Sequence, residues 1–167
     1  MAFWPPLTQL SKSRFVAGCR CPKLLWWKVH EPEAPELVPD KVLQDLFDQG
    51  ALVGELARRE FPGGILVDHP HAAIAARLAS TQAALEAGAP AIFEASFETG
   101  GVFVAVDVLL RDPDGEGFTL IEVKSSSSAK EQHIPDAAVQ TWVIRQAGLQ
   151  VSRVEVMHLN REYRHPG

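Results

Sequence analysis

Residues 101 to 124, GVFVAVDVLLRDPDGEGFTLIEVK, constrain this chain more than any other stretch. Two runs rich in Val, Ile, Leu and Phe flank an Asp-Pro-Asp-Gly segment. Such runs favour strands, and Asp114-Gly115 is a strong two-residue turn signal. A hairpin centred there fixes every facing pair and sets Asp107 directly opposite Glu122. Facing Cβ atoms in a hairpin lie about 5 Å apart. Side chains alternate along a strand. Phe103, Ala105, Asp107 and Leu109 are therefore expected to share a face with Phe118, Leu120, Glu122 and Lys124. Val102, Val104, Val106, Val108, Ile121 and Val123 take the opposite face. With both faces apolar, the hairpin belongs at the centre of a sheet covered on two sides.

Two carboxylates held together in such a sheet repel each other and are costly to desolvate. A divalent cation relieves both problems, and oxygen ligands at this spacing suit magnesium or manganese. For Lys124 alone, an ordinary ion pair at a strand end is the simpler account. Asp107, Glu122 and Lys124 in one register point to a site. Glu94, early in the preceding strand, reads equally as an acid behind the site or as an exposed strand-start residue. Glu55 lies on a helix lightened by Gly50 and Gly54, which could bring it near the sheet; most helical glutamates are simply solvated. His133, Asp136 and Gln140, at i, i+3 and i+7, form a polar stripe on an otherwise apolar helix. The neighbours Ala137, Ala138, Val139 and Trp142 favour its partial burial in a lined groove over exposure to solvent.

The remaining pattern supplies the frame. Residues 11 to 29 read as a helix capped by Ser11 or Ser13 and bent by Pro22 near Cys21. Residues 31 to 39, EPEAPELVP, read as a loop. Apolar positions 42, 43, 46, 47, 52, 53, 56 and 57 have helical spacing, which predicts a helix over 40–60. Gly50 and Gly54 suggest close approach of another backbone. An Ala-rich helix follows over 71–87, then a strand over 91–97 and the two hairpin strands, 101–110 and 118–124. A helix over 134–147 and a strand over 151–159 close the order. The expectation is an α/β domain with a helical N-terminal part and a small mixed central sheet flanked by helices.

Composition limits the function classes. The 167 residues suit one domain over 1–167. No apolar run is long enough to span a membrane, and the N-terminus lacks a signal-peptide layout, so a cytoplasmic location is expected. Cys19 and Cys21 are the two cysteines; a reduced, structural role is expected of them. A net charge of −5 argues against coating nucleic acid by bulk electrostatics. Locally, residues 12 to 28 hold Lys12, Arg14, Arg20, Lys23 and Lys28, no acid, and Trp26 with Trp27. That mixture suits phosphate contacts and base stacking. A solvated helix face carrying two core tryptophans is the commoner arrangement and the favoured reading of these residues.

Asp107 followed by Glu122-Val123-Lys124 resembles the D…(D/E)-x-K signature of the PD-(D/E)XK nuclease superfamily. LSKSRFVAGCRCPKLLWW resembles the N-terminal helix with a Cys-Pro of its RecB-like branch. GALVGE resembles that branch's helical first motif, and IEVKSSSS with DAAVQTWVI resembles its E-x-K strand and Gln motif. The resemblance spans about residues 10 to 160. It is similar in particular to CRISPR-associated RecB-type exonucleases that carry an iron–sulfur cluster. It implies a restriction-endonuclease-like core and a magnesium- or manganese-dependent deoxyribonuclease acting on single- or double-stranded DNA. It also implies Asp107, Glu122 and the Val123 carbonyl as metal ligands, and Lys124 as the group that positions or activates water. Glu55 stands where many relatives have a metal-binding histidine, and Gln140 would organise the site or touch DNA.

Two features depart from the family pattern. Ile144 stands at the usual tyrosine of the Gln motif, and no cysteine follows Cys21, so no complete iron–sulfur cluster is expected from this chain. The sequence is compatible with the N-terminal part of a longer protein. The alternatives are a catalytically weak or inactive nucleic-acid-binding module on the same fold, and an enzyme acting on another phosphate substrate.

Overall fold

The computed structural model describes residues 9 to 164. Its elements follow the expected order, with two short strands added. They are β1 (Leu10–Ser11), α1 (Lys12–Arg20), α2 (Pro22–His30), α3 (Lys41–Arg58), β2 (Ile65–Leu66), α4 (Ile74–Glu86), β3 (Ala91–Thr99), β4 (Val102–Arg111), β5 (Phe118–Lys124), α5 (Ile134–Gln146) and β6 (Val151–His158). Single 3-10 turns cover Pro35–Leu37 and Glu131–His133. The Ser11 side chain caps α1 by accepting the Arg14 N–H. Pro22 does more than bend the first helix. It splits the helix into two, with Cys21 extended between them and Pro22 in the first turn of α2, where its missing N–H costs nothing.

The sheet is mixed and six-stranded, in the order β2-β3-β4-β5-β6, with β1 paired to β4. β3, β4 and β5 are antiparallel neighbours; β1, β2 and β6 join their partners in parallel. The register expected from the turn is present, with Val108 facing Ile121, Leu109 facing Leu120 and Leu110 facing Thr119. The turn itself is wider than two residues: Gly115 N–H bonds to Asp112 O, and Asp112 N–H to Gly117 O. Gly115 takes a φ of 77°, which favours glycine. The loop keeps the same centre, so the register is unchanged.

Three expectations fail. The β4–β5 ladder ends at Val108–Ile121, so Asp107 and Glu122 do not form the expected cross-strand pair. Simple alternation along β4 also breaks. Val104 and Val106 pack in the main core with Leu109, Phe118 and Leu120, whereas Val108 and Ile121 pack with Phe93 in a smaller core on the other side. On β3, Ile92, Ala95 and Phe97 join the main core while Ala91 and Phe93 join the smaller one. Both strands therefore change face at one place. There the β3–β4 ladder skips Glu94 and Asp107, and Glu94 has a φ of 57°. A residue other than glycine in that conformation is strained, and this one lies beside the candidate site. α3 forms as the spacing predicts, burying Val53 and Ala57 while Val42, Leu46, Phe47 and Leu52 are exposed. Third, among the described residues an atom in the Cβ position of Gly50 or Gly54 would meet nothing within 4 Å, so these glycines serve no close backbone approach there.

These irregularities build a fork. β3 runs along one edge of β4. The other edge is shared by β5 over residues 108–111 and by β1 at Val102 and Phe103. Between those two stretches β4 carries Asp107.

Candidate active site

At the fork, Asp107 Oδ2 accepts the Val123 N–H at 2.7 Å, so a side chain takes up the N–H just past the end of the β4–β5 ladder. Asp107 stands where three cavities meet. The first, about 620 Å³, is also lined by Gly50, Gly54, Glu55, Glu94 and Val123. The second, about 590 Å³, extends towards Phe103, Ala105 and Arg14. The third, about 730 Å³, runs past Glu122, Lys124 and Asp136 to Arg20 and Lys28. Burial pushes the Asp107 carboxyl up to about 7, with Lys12 opposing the rise and Glu122 adding to it.

Glu122 is the most enclosed acid of the group, at 1% exposure. Gln140 Nε2 donates to its Oε2 at 2.7 Å, and Lys124 donates to its Oε1. Lys12 Nζ lies 3.3 Å from Oε2 and 3.4 Å from Oε1. Burial works against the charge, but Lys12 and Lys124 outweigh it and hold Glu122 down to about 2. Glu122 is thus ionised across the physiological range. Lys124 also binds Asp136 Oδ2 at 2.7 Å. Burial lowers the Lys124 ammonium's pKa, but Glu122 and Asp136 raise it further, so it stays charged. Asp136 is pushed up by burial, against the pull of Lys12.

The α5 stripe lies inside: His133, Asp136 and Gln140 are all buried. Asp136 and Gln140 touch the cluster directly. The His133 ring instead accepts the Lys130 N–H and closes the turn before α5; burial first, then Lys124 and Lys130, lower its pKa. Ile144 is fully buried in the main core, so this position packs the sheet.

Other expected site residues fall elsewhere. Glu55 lines the first cavity, yet its exposed carboxylate pairs with Arg59 at 3.4 Å. Among the described residues, no group of three or more His, Cys, Asp or Glu side chains is gathered as a metal cage. Of the basic residues, Lys12 is not a free surface cation but sits within the acid cluster. Arg14 donates to the backbone carbonyls of Gln9 and Lys28 and so ties α1 to its surroundings. Lys23 lies over the Trp27 ring. Trp26 is 48% exposed, against the expectation of two core tryptophans. Cys19 and Cys21 are free and exposed, so neither packs as a structural cysteine would.

The residue the sequence reading overlooks is Arg77, 2% exposed on α4. It donates to Ser96 Oγ at 3.0 Å, His69 O at 2.7 Å and both the backbone and the carboxylate of Glu94. It thereby anchors the strained Glu94 beside Asp107. A signal for it existed: Ile74, Arg77, Thr81 and Ala84 follow the helical spacing of one face, and an arginine on the face that buries alanines needs fixed partners.

The donor set fits a hard divalent cation. Asp107 and Glu122 supply hard carboxylate oxygens of the kind magnesium takes alongside water and substrate phosphate, the first pushed up by burial and the second held ionised by Lys12 and Lys124. No protein-family model matches the chain, and no curated protein matches it. No helix among the described residues is long and apolar enough to cross a membrane.

Proposed function

We propose that this chain is a metal-dependent deoxyribonuclease domain of the PD-(D/E)XK type, RecB-like, with a restriction-endonuclease-like core. One observation carries the reading. Lys124 and Gln140, from β5 and α5, both donate to the buried Glu122 carboxylate, at the fork where Asp107 ends the β4–β5 ladder. Asp107, Glu122 and the Val123 carbonyl would hold magnesium or manganese. The bound metal would polarise the phosphate and lower the pKa of a nucleophilic water.

The chain's own residues do the rest. Gln140 fixes the Glu122 carboxylate, and the enclosing cations keep it ionised. Lys124, steadied between Glu122 and Asp136, orients the attacking water and meets charge as it builds on the phosphate. Arg20 and Lys28 line the cavity leading away from the acids and suit the DNA backbone. The exposed Trp26 offers a face for stacking.

A catalytically weak DNA-binding module on the same fold is the second reading. It is favoured by the Lys12 ammonium, which lies against both Glu122 oxygens. The test is incubation with single- and double-stranded DNA plus magnesium or manganese, beside Glu122→Ala and Lys124→Ala. The nuclease reading expects metal-dependent cleavage by the parent chain and its loss in both variants. Metal-independent DNA binding without cleavage would establish the second reading.

A further inference from the structure

We propose that Lys12 is a tethered, displaceable cation: it holds the Glu122 oxygens in the metal-free protein and moves to Asp136 Oδ1 when a divalent ion takes them. The inference rests on the metal-dependent reading above.

The backbone around Lys12 is pinned on both sides. Leu10 N–H bonds to Gly101 O at 2.9 Å, and Ser11 pairs with Phe103. The Ser11 cap then starts α1 at Lys12. The chain thus delivers this side chain into the gap between β1 and β5, beside Asp107 and Glu122. The lysine stem is flexible, so the ammonium can shift while its Cα stays fixed.

Lys12 is the most loosely held of the donors on Glu122. Its 3.3 and 3.4 Å contacts are spread over both oxygens, whereas Gln140 donates at 2.7 Å. Charge-assisted bonds to a carboxylate usually run about 2.7–2.9 Å. A second station is near. Among the described residues Asp136 Oδ1 is buried with no hydrogen-bond partner, and it lies 3.8 Å from Lys12 Nζ. Buried acceptors of this kind normally have a donor, so an empty one within reach of an ammonium is a place for it to go. A divalent ion on Glu122 would repel Lys12 strongly at these distances, and Asp136 would receive it. Lys12 thereby restrains metal affinity and keeps the acids compensated when the metal is absent.

The test compares manganese binding to the metal-stripped chain and its Lys12→Met variant, by titration calorimetry and by the paramagnetic signal of free manganese. The expected result is binding at least roughly tenfold tighter in the variant, since a competing charge is gone. Lys12→Gln, which keeps a polar donor without the charge, should move the same way and serves if the methionine variant does not fold. Adding Glu122→Gln to Lys12→Met should abolish the gain. Unchanged or weaker binding in the Lys12 variants overturns the proposal, as does absence of manganese binding in every form. Tighter binding in the variant without DNA cleavage by the parent chain supports the Lys12 role and refutes the nuclease.

Discussion

Replacing Asp107 by Asn should make the metal-free protein more stable at alkaline pH and no more stable in acid. Asp107 titrates at about 7 in the fold, against 3.8 for an ordinary aspartate. Between those values the unfolded chain has lost a proton that the folded chain retains. Asp107 therefore costs nothing below pH 3.8, and its penalty grows until the pH passes about 7. The full gap corresponds to about 4 kcal/mol. Asp107 is only partly buried beside open cavities, so solvent relaxation reduces this to about 2 kcal/mol. Asn removes the charge and keeps an oxygen for the Val123 N–H. For a domain of this size the gain corresponds to about 4–8 °C in Tm. The assay is thermal and urea unfolding of both proteins in chelator at pH 8 and pH 4. A variant less stable than the parent at pH 8, or a difference unchanged between the two pH values, would refute the reasoning. On the proposed nuclease reading the same substitution should remove metal-dependent cleavage, so the site would gain stability as it loses that function.

Arg77→Met should cost about 3 kcal/mol in urea unfolding, because it leaves the Glu94 and His69 acceptors without their buried donor; a loss below about 1 kcal/mol would mean that Arg77 does not anchor Glu94. Gly50→Ala and Gly54→Ala should each stabilise α3 by about 0.5–1 kcal/mol, since neither added methyl meets an atom. Destabilisation by either, read from the same unfolding curves, would show a close contact at that glycine.

Much of the fold is legible in local chemistry. Helical spacing, the Ser11 cap and the Asp-Gly turn each act over a few residues, so their signals are written where they operate. The hairpin register follows from the loop centre alone, and it holds although the turn is wider than two residues. Legibility ends at Asp107. Strict alternation assumes an undisturbed pleat, and it cannot foresee that Glu94 adopts a positive φ opposite an aspartate that accepts an amide hydrogen. The α3 stripe shows a second limit: its period reports a helix, but whether the apolar face is covered depends on what packs against it. For the candidate site, the α5 stripe was readable because His133, Asp136 and Gln140 break an apolar face. Arg77 carried the same kind of signal inside its Ala-rich helix.

The sequence by itself determined the main helices and the four long strands, their order, the register beyond Asp107 and the approach of Glu122 and Lys124 to one end of the hairpin. These follow from propensity, turn chemistry and the two-residue period of a strand. Only the tertiary structure decided that β1 and β5 share one edge of β4, that Lys12 enters the gap between them, and that Arg77 braces Glu94. Those contacts join residues far apart in the chain. They depend on which desolvated charges can find partners once the core has closed, and no local pattern records that choice.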